Sequence, residues 1–300
     1  MRFELTEDQR DFRAALDDLL SAADTLTAAR AWAEGDHALG LGLWKRLADL
    51  GLNGLLVEGG THVDLAVAHE ALGHHLAVGP WIETAALSRS YGERVAAGEL
   101  LTVAAPDVSY ALDADVAALV AGTAGERLES IDVTRRLFRV EGGFEARRLA
   151  PQPPMGDFEV AALACAAQLL GAGERVLSDT VTYVQQRRQF GREIGSFQAV
   201  KHQLADVRIA LDFARPLIYG AALSVSASSS SAARDTSAAK AYASDAAWKA
   251  ARTALQLHGA VGYTRELDLG LWILRIRALC SAWGTPTSHR ARVLESLVQR

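Results

Sequence analysis

The chain has 300 residues, which at roughly 150 per domain points to about two domains and to a length able to bury a sizeable core. With 50% hydrophobic and 22% charged residues and only 7 Pro, the composition is that of a folded globular protein and excludes collagen, a disordered tail protein and a disulfide scaffold. Lys plus Arg number 31 against 36 Asp plus Glu, so the net charge is −5, which argues against nucleic acid or an anionic membrane as partner, since both select a basic excess.

The acidic start Met1–Asp8 lacks the basic and then apolar run of an export signal. The longest apolar stretches are broken by charge before the roughly 18 residues a spanning helix needs, so no membrane partner and a cytoplasmic location are expected. The two cysteines, Cys165 and Cys280, each lie in an apolar helical stretch, which implies no disulfide framework and suits a reducing compartment.

Thr6 followed by Gln9 is a capping box, and Phe12, Leu16, Leu19 and Leu20 then share one helix face. Leu43, Leu47, Leu50 and Leu52 around Trp44 repeat the pattern and stop at Gly51 and Gly54, and a further helix is predicted over Val63–Val78, before Gly79-Pro80. From about Leu101 the pattern turns to short alternating runs such as Leu137–Glu141 between Gly122, Gly125, Gly142 and Gly143, a small β segment. The Pro151–Pro154 cluster then marks a boundary. Four long helical stretches follow, near 157–187, 196–224, 235–259 and 267–300, with short connections that predict a helix bundle. The Ser224–Ser231 run reads as a flexible connection.

Two segments can carry chemistry. Gln186-Arg187-Arg188-Gln189-Phe190-Gly191-Arg192-Glu193-Ile194-Gly195-Ser196-Phe197-Gln198 ends one helix with two arginines, turns at Gly191 and Gly195, and starts the next with Ser196 as its cap. Free helix-start N–H groups beside guanidinium forks favour a phosphate, although a tight turn with solvated arginines gives the same pattern. In Gln256-Leu257-His258-Gly259-Ala260-Val261-Gly262, two glycines three apart allow backbone to approach a ligand, and Gly262 equally suits an ordinary helix end.

In this order and separation the two segments resemble the acyl-CoA dehydrogenase family. Phe3–Gln9 and Leu65–His74 with Gly79-Pro80 resemble that family's N-terminal helical domain. The resemblance implies a mainly α, acyl-CoA dehydrogenase-like fold: an N-terminal helical domain over 1–104, a reduced middle β segment over 105–150 and a C-terminal four-helix bundle over 151–300. It implies FAD shared across a subunit interface, with Arg187, Gln189, Phe190, Gln198, Gln256 and Gly259 at the pyrophosphate and adenine end of a neighbour's flavin.

The chain departs from the family in two places. The family's middle domain is a full β barrel, whereas the segment here is too short to close one, Ala105-Pro106 being the only trace of its flavin-ring motif. The family also removes the substrate α-proton with a Glu, and the two positions that hold it correspond here to Trp283, before Gly284-Thr285, and to Ala161. Neither side chain accepts a proton, so no catalytic residue is assigned. Glu159 and Glu174 are the nearest carboxylates, and Glu159 reads better as an exposed helix-start charge than as a displaced base.

His74 and His75 lack acidic or cysteine partners at metal spacing, so no metal site is expected, and His258 suits a helix-end carbonyl contact as well as a flavin phosphate. Trp32, Trp44, Trp81, Trp248 and Trp272 read as core or interface aromatics. The pattern resembles the non-catalytic short subunit of heterotetrameric α2β2 steroid-type acyl-CoA dehydrogenases. That resemblance implies FAD as cofactor, a longer partner subunit that supplies the Glu, an acyl-CoA substrate and an electron-transfer flavoprotein as electron acceptor. The alternatives are a homomeric dehydrogenase with a displaced base and a flavin-free helical scaffold.

Overall fold

Thr6 and Gln9 close their box in both directions: the Gln9 N–H donates to Thr6 Oγ1 at 3.2 Å and the Thr6 N–H to Gln9 Oε1 at 3.1 Å. They start α1 (Glu7–Ser21), whose Leu16 and Leu20 are buried. The computed structural model describes residues 4–105, 108–119, 122–141, 155–264 and 267–298. The Pro151–Pro154 boundary, Gly142, Gly143, Pro106 and Phe3 lie outside them.

A helix absent from the leucine pattern, α2 (Thr25–Glu34), follows; the Asp24 carboxylate caps it by accepting from the Thr27 N–H, and it buries Ala28, Ala29 and Trp32. α3 (Ala38–Asp49) buries Leu43, Trp44 and Leu47. α4 (His62–His74) opens on a second capping box, Thr61 with Asp64, and stops four residues short of Val78, with Leu76 turning into the left-handed region at φ 54°. Two short helices, α5 (Trp81–Ala86) and α6 (Gly92–Ala96), complete the N-terminal part.

The β segment holds a parallel pair, β1 (Leu101–Thr102) with β3 (Ala118–Leu119), and an antiparallel sheet of β2 (Tyr110–Leu112), β4 (Thr123–Leu128) and β5 (Leu137–Glu141) in the order β2-β5-β4. Ala111 faces Phe138 and Leu128 faces Leu137 across it. Among the described residues this sheet has three strands, with β5 in the middle. Buried Arg275 ties the segment to the bundle: its Nε donates to Asp132 Oδ2 at 2.5 Å, Nη2 to Thr134 Oγ1 at 2.7 Å and Nη1 to the Ala77 carbonyl at 3.2 Å.

The bundle is built on α7 (Met155–Gln186), whose middle third is buried on every face. Around it pack α8 (Gln198–Ser226), α9 (Ala232–His258), α10 (Leu269–Ser281) and α11 (Pro286–Val298). The alanines of α9, among them Ala243, Ala247, Ala250 and Ala254, are buried and let helices approach closely. Gly171 on α7 lies against the Glu70 carbonyl and Gly73 on α4 against the Gln168 carbonyl, where an added Cβ would sit 1.8 and 2.2 Å from those oxygens. The α4–α7 crossing is therefore made backbone to backbone.

Four expectations need correction. The stretch 267–300 is not one helix, because the chain breaks between α10 and α11, where Trp283 (φ 54°) and Gly284 (φ 100°) are left-handed. Ser196 does not cap α8; it lies in a 3-10 turn and donates to the Glu193 carbonyl at 2.7 Å, while Phe197 takes the cap position. The serine run is mostly not a loose connection, since α8 runs through Ser226, and Ser224 and Ser231 donate to Asp235 at 2.8 and 2.7 Å. Finally, Asp157–Gln186 and Gln198–Ser226 are long and apolar enough by length and composition to cross a membrane; 89% of the apolar window of the first is buried inside the fold, which is how a core helix passes that test.

Candidate functional site

The first candidate region is one end of the bundle. The Tyr183 ring, one turn before the end of α7, stacks on His258 at the end of α9, with centroids 4.0 Å apart. This stack brings the two sequence segments side by side. His258 Nδ1 meets the Ala254 carbonyl at 2.9 Å, and burial lowers its pKa below the ordinary imidazole value, so the ring is a neutral, helix-end group.

Beyond Gln186 the chain forms a hairpin of β6 (Arg188–Gln189) and β7 (Arg192–Glu193). Its two turn residues, Phe190 (φ 52°) and Gly191 (φ 81°), both have positive φ, the geometry a tight two-residue hairpin demands. Phe190 stands at the tip, 90% exposed, while Phe197 behind it is covered by the Arg192 guanidinium at 4.0 Å. Arg187, Gln189, Gln198, Gln256 and Gly259 are exposed as well. Among the described residues no hydrogen bond or ion pair engages the side chains of Arg187, Gln189, Gln198 or Gln256. Gly259 takes φ 63°, ψ −140°, a backbone that a side chain would strain, and has open space where a Cβ would point.

Chemically, the two segments offer an arginine fork, three exposed side-chain amides and the N-terminus of a 29-residue helix. Such a donor set suits a phosphate anion flanked by a polar ring system, so these residues fit the nucleotide end of a flavin.

The second region is a cavity of about 160 Å³ between the β segment and the bundle, lined by Tyr110, Leu112, Arg135, Ala282, Trp283 and Glu83 among others. Trp283 is buried and its indole Nε1–H donates to Glu83 Oε1 at 3.3 Å. Arg135 Nη2 lies 3.6 Å from the same oxygen, and Glu83 Oε2 has no partner among the described residues. Ala161 is buried in the core cluster of the bundle.

Glu159 is not the exposed charge the sequence suggests. It is 5% exposed and accepts from Arg292 Nη2 at 2.6 Å, an arginine brought across from α11 that also covers Phe158 at 4.5 Å. Glu174 lies elsewhere, held by Arg208 at 2.6 Å and Arg215 at 3.0 Å; burial raises its pKa, but these guanidinium bonds outweigh it and leave the carboxyl below its usual value. The buried carboxylate of the cavity is instead Glu83, whose one sequence signal is a lone Glu within the apolar run Trp81-Ile82-Glu83-Thr84-Ala85-Ala86.

The remaining residues fall out simply. Burial raises both thiols, Cys280 to about 11, so neither is nucleophilic. His75 Nε2 pairs with Asp17 at 3.0 Å. Trp32, Trp44, Trp81 and Trp272 are core residues, while Trp248 is half-buried near Arg277.

Comparison with known proteins agrees with this architecture. Residues 154–298 match the family described as acyl-CoA dehydrogenase, C-terminal domain. The chain is 30% identical to acyl-CoA dehydrogenase IpdE2 of Mycobacterium tuberculosis, over 97% of this chain and 98% of that protein. Its fold is similar to the ChsE4–ChsE5 complex from Mycobacterium tuberculosis (TM-score 0.81, 22% identity, 100% of both chains). It is also similar to the Tcur3481–Tcur3483 steroid ACAD (TM-score 0.81, 20% identity, 98% of both chains). From its N-terminal helices through its helix bundle, this chain belongs to the acyl-CoA dehydrogenase family, whose reaction is oxidation of a CH–CH bond.

Proposed function

We propose that this chain is the base-less subunit of a heteromeric acyl-CoA dehydrogenase, holding one end of an FAD at the interface with a longer partner that supplies the Glu. The observation that carries the reading is the unengaged donor set at the end of the bundle, Arg187, Gln189, Gln198 and Gln256. In that role Arg187 and the start of α8 neutralise the pyrophosphate, Gln256 and the open backbone at Gly259 flank the adenine end, and Phe190 packs from the hairpin tip. FAD, when bound, supplies the hydride acceptor for α,β-dehydrogenation of the acyl-CoA, with electrons then passing to an electron-transfer flavoprotein. With Trp283 and Ala161 at the two base positions, the proton must leave to a carboxylate of the partner.

A steroid-derived CoA thioester is the substrate class, supported by the Tcur3481–Tcur3483 steroid ACAD among the similar folds. The two reduced, buried thiols suit a cytoplasmic location. In the co-expressed complex, Arg187→Ala lowers bound FAD measured by flavin absorbance; unchanged FAD removes the interface role.

A second reading, a homomeric dehydrogenase with a displaced base, is favoured by one observation, the Glu83 carboxylate in the cavity. It predicts that the lone chain is yellow and active and that Glu83→Gln abolishes turnover. Glu159, occupied by Arg292, does not fit that role.

A further inference from the structure

We infer that Trp283 is a plug, a selectivity residue that shuts this chain's own cavity to a CoA thioester and so confines substrate to the partner's site. The inference rests on the reading just proposed, but its evidence is independent of the bundle end. Trp283 is a bulky residue in the left-handed region (φ 54°) and only 3% exposed. A conformation of that kind persists only where surrounding contacts impose it, and it gathers at functional sites.

The contacts that impose it come from three directions. The Trp283 carbonyl meets His289 Nε2 at 2.9 Å. The Gly284 carbonyl accepts at 3.3 Å from Nζ of Lys240, a fully buried lysine that also donates to the Leu279 carbonyl at 3.0 Å. On the other side the indole N–H reaches Glu83 on α5, and Phe158 lies 6.2 Å away, ring to ring. Backbone and side chain are thus both fixed, and the indole stays as a wall of the cavity.

The space left measures about 160 Å³. Cavities of about that size take a single six-membered ring. This one is partly open to solvent, so a pantetheine arm stays outside it and the limit falls on the acyl chain, which the indole wall stops short. The lining is mixed: Leu112 and Leu137 from the sheet, Ala278 from α10 and Ala282 just beyond its end are apolar, while Glu129 and Arg135 are polar. Removal of the indole joins its own volume to this space and leaves the buried Glu83–Arg135 pair facing it.

The test is calorimetric titration of octanoyl-CoA into the FAD-loaded heteromer and, separately, into the lone full-length chain, for wild type, Trp283→Ala, Trp283→Leu and Trp283→Phe. The lone wild-type chain is expected to bind none, and the Ala and Leu variants one equivalent each, with one more per heterodimer than wild type in the complex; Phe, which still fills the wall, behaves as wild type. Thermal unfolding establishes that a variant is folded, and Leu stands in if Ala is not. The plug is overturned if folded Ala and Leu variants gain no site, or if the wild-type chain already binds a thioester. A lone chain that is yellow and active instead sinks the heteromer reading, whatever the titration gives.

Discussion

Gly171→Ala separates a packing account of the α4–α7 crossing from one in which helix propensity dominates. Alanine is the better helix former by about 1 kcal/mol, so propensity alone predicts a more stable protein. The structure predicts the reverse. The new Cβ would lie 1.8 Å from the Glu70 carbonyl oxygen, while ordinary contact begins at 3.4 Å, so the helices must part by about 1.6 Å along the line of contact. Neither side is a flexible side chain that can swing away. Overpacking of this kind costs about 1–3 kcal/mol, and the backbone on both sides places it at the upper end. Gly42, inside α3 with nothing within 4 Å of its would-be Cβ, is the control. Urea titration followed by circular dichroism should show Gly171→Ala losing about 3 kcal/mol and Gly42→Ala gaining up to about 1 kcal/mol. The reasoning is wrong if Gly171→Ala stays within about 0.5 kcal/mol of wild type, or if both variants lose stability alike.

Three further outcomes follow from buried polar groups. Arg275→Met strands the Asp132 charge in the interior and should cost about 3–5 kcal/mol by the same titration, whereas adding Asp132→Asn, which removes the charge but keeps an acceptor for the Thr134 N–H and hydroxyl, should recover part of it. Burial pushes the Asp113 carboxyl up to about 7, against the hydrogen bond from Trp32 and the nearby Arg135 and Arg136, with Glu83 adding to the rise. A raised folded-state pKa means that its contribution is full below the unfolded value and lost as pH climbs through 7. Asp113→Asn should therefore gain on wild type as pH rises from 4 to 8 in thermal melts, and a constant difference contradicts the burial argument. Cys165 and Cys280 should resist a thiol reagent in native protein and both react once urea unfolds it; fast native labelling of either contradicts their placement.

The legible parts of the sequence were those fixed by neighbours in the chain. The Thr6–Gln9 box and the apolar spacing of Leu16 and Leu20 announce α1, and alternation announces Leu137–Glu141. α2 escaped because its buried face is made of small residues, Ala28 and Ala29 beside Trp32, rather than the leucines that mark α1 and α3. The break at Trp283 had a local signal that went unread, Gly284 then Pro286 at the start of α11 with Thr285 accepting from the Ser288 N–H at 3.1 Å; only the Lys240 grip on the turn comes from a distance. Glu159 shows the same limit, since the arginine that buries it lies 133 residues away. The two segments at the bundle end were readable as motifs, but the Tyr183–His258 stack that ties together the ends of the helices carrying them was not. Glu83 carries almost no sequence signal, because a single carboxylate in a short apolar helix gains meaning only from the cavity it faces.

The central claim is that this chain shares a flavin rather than owning one. It is tested most directly by co-expression with a longer acyl-CoA dehydrogenase subunit, followed by size-exclusion chromatography and the flavin absorbance of the complex and of the lone chain. The account predicts a colourless lone chain and a yellow heteromer with one FAD per heterodimer. A lone chain that elutes yellow and oxidises a CoA thioester would contradict it and turn attention to Glu83.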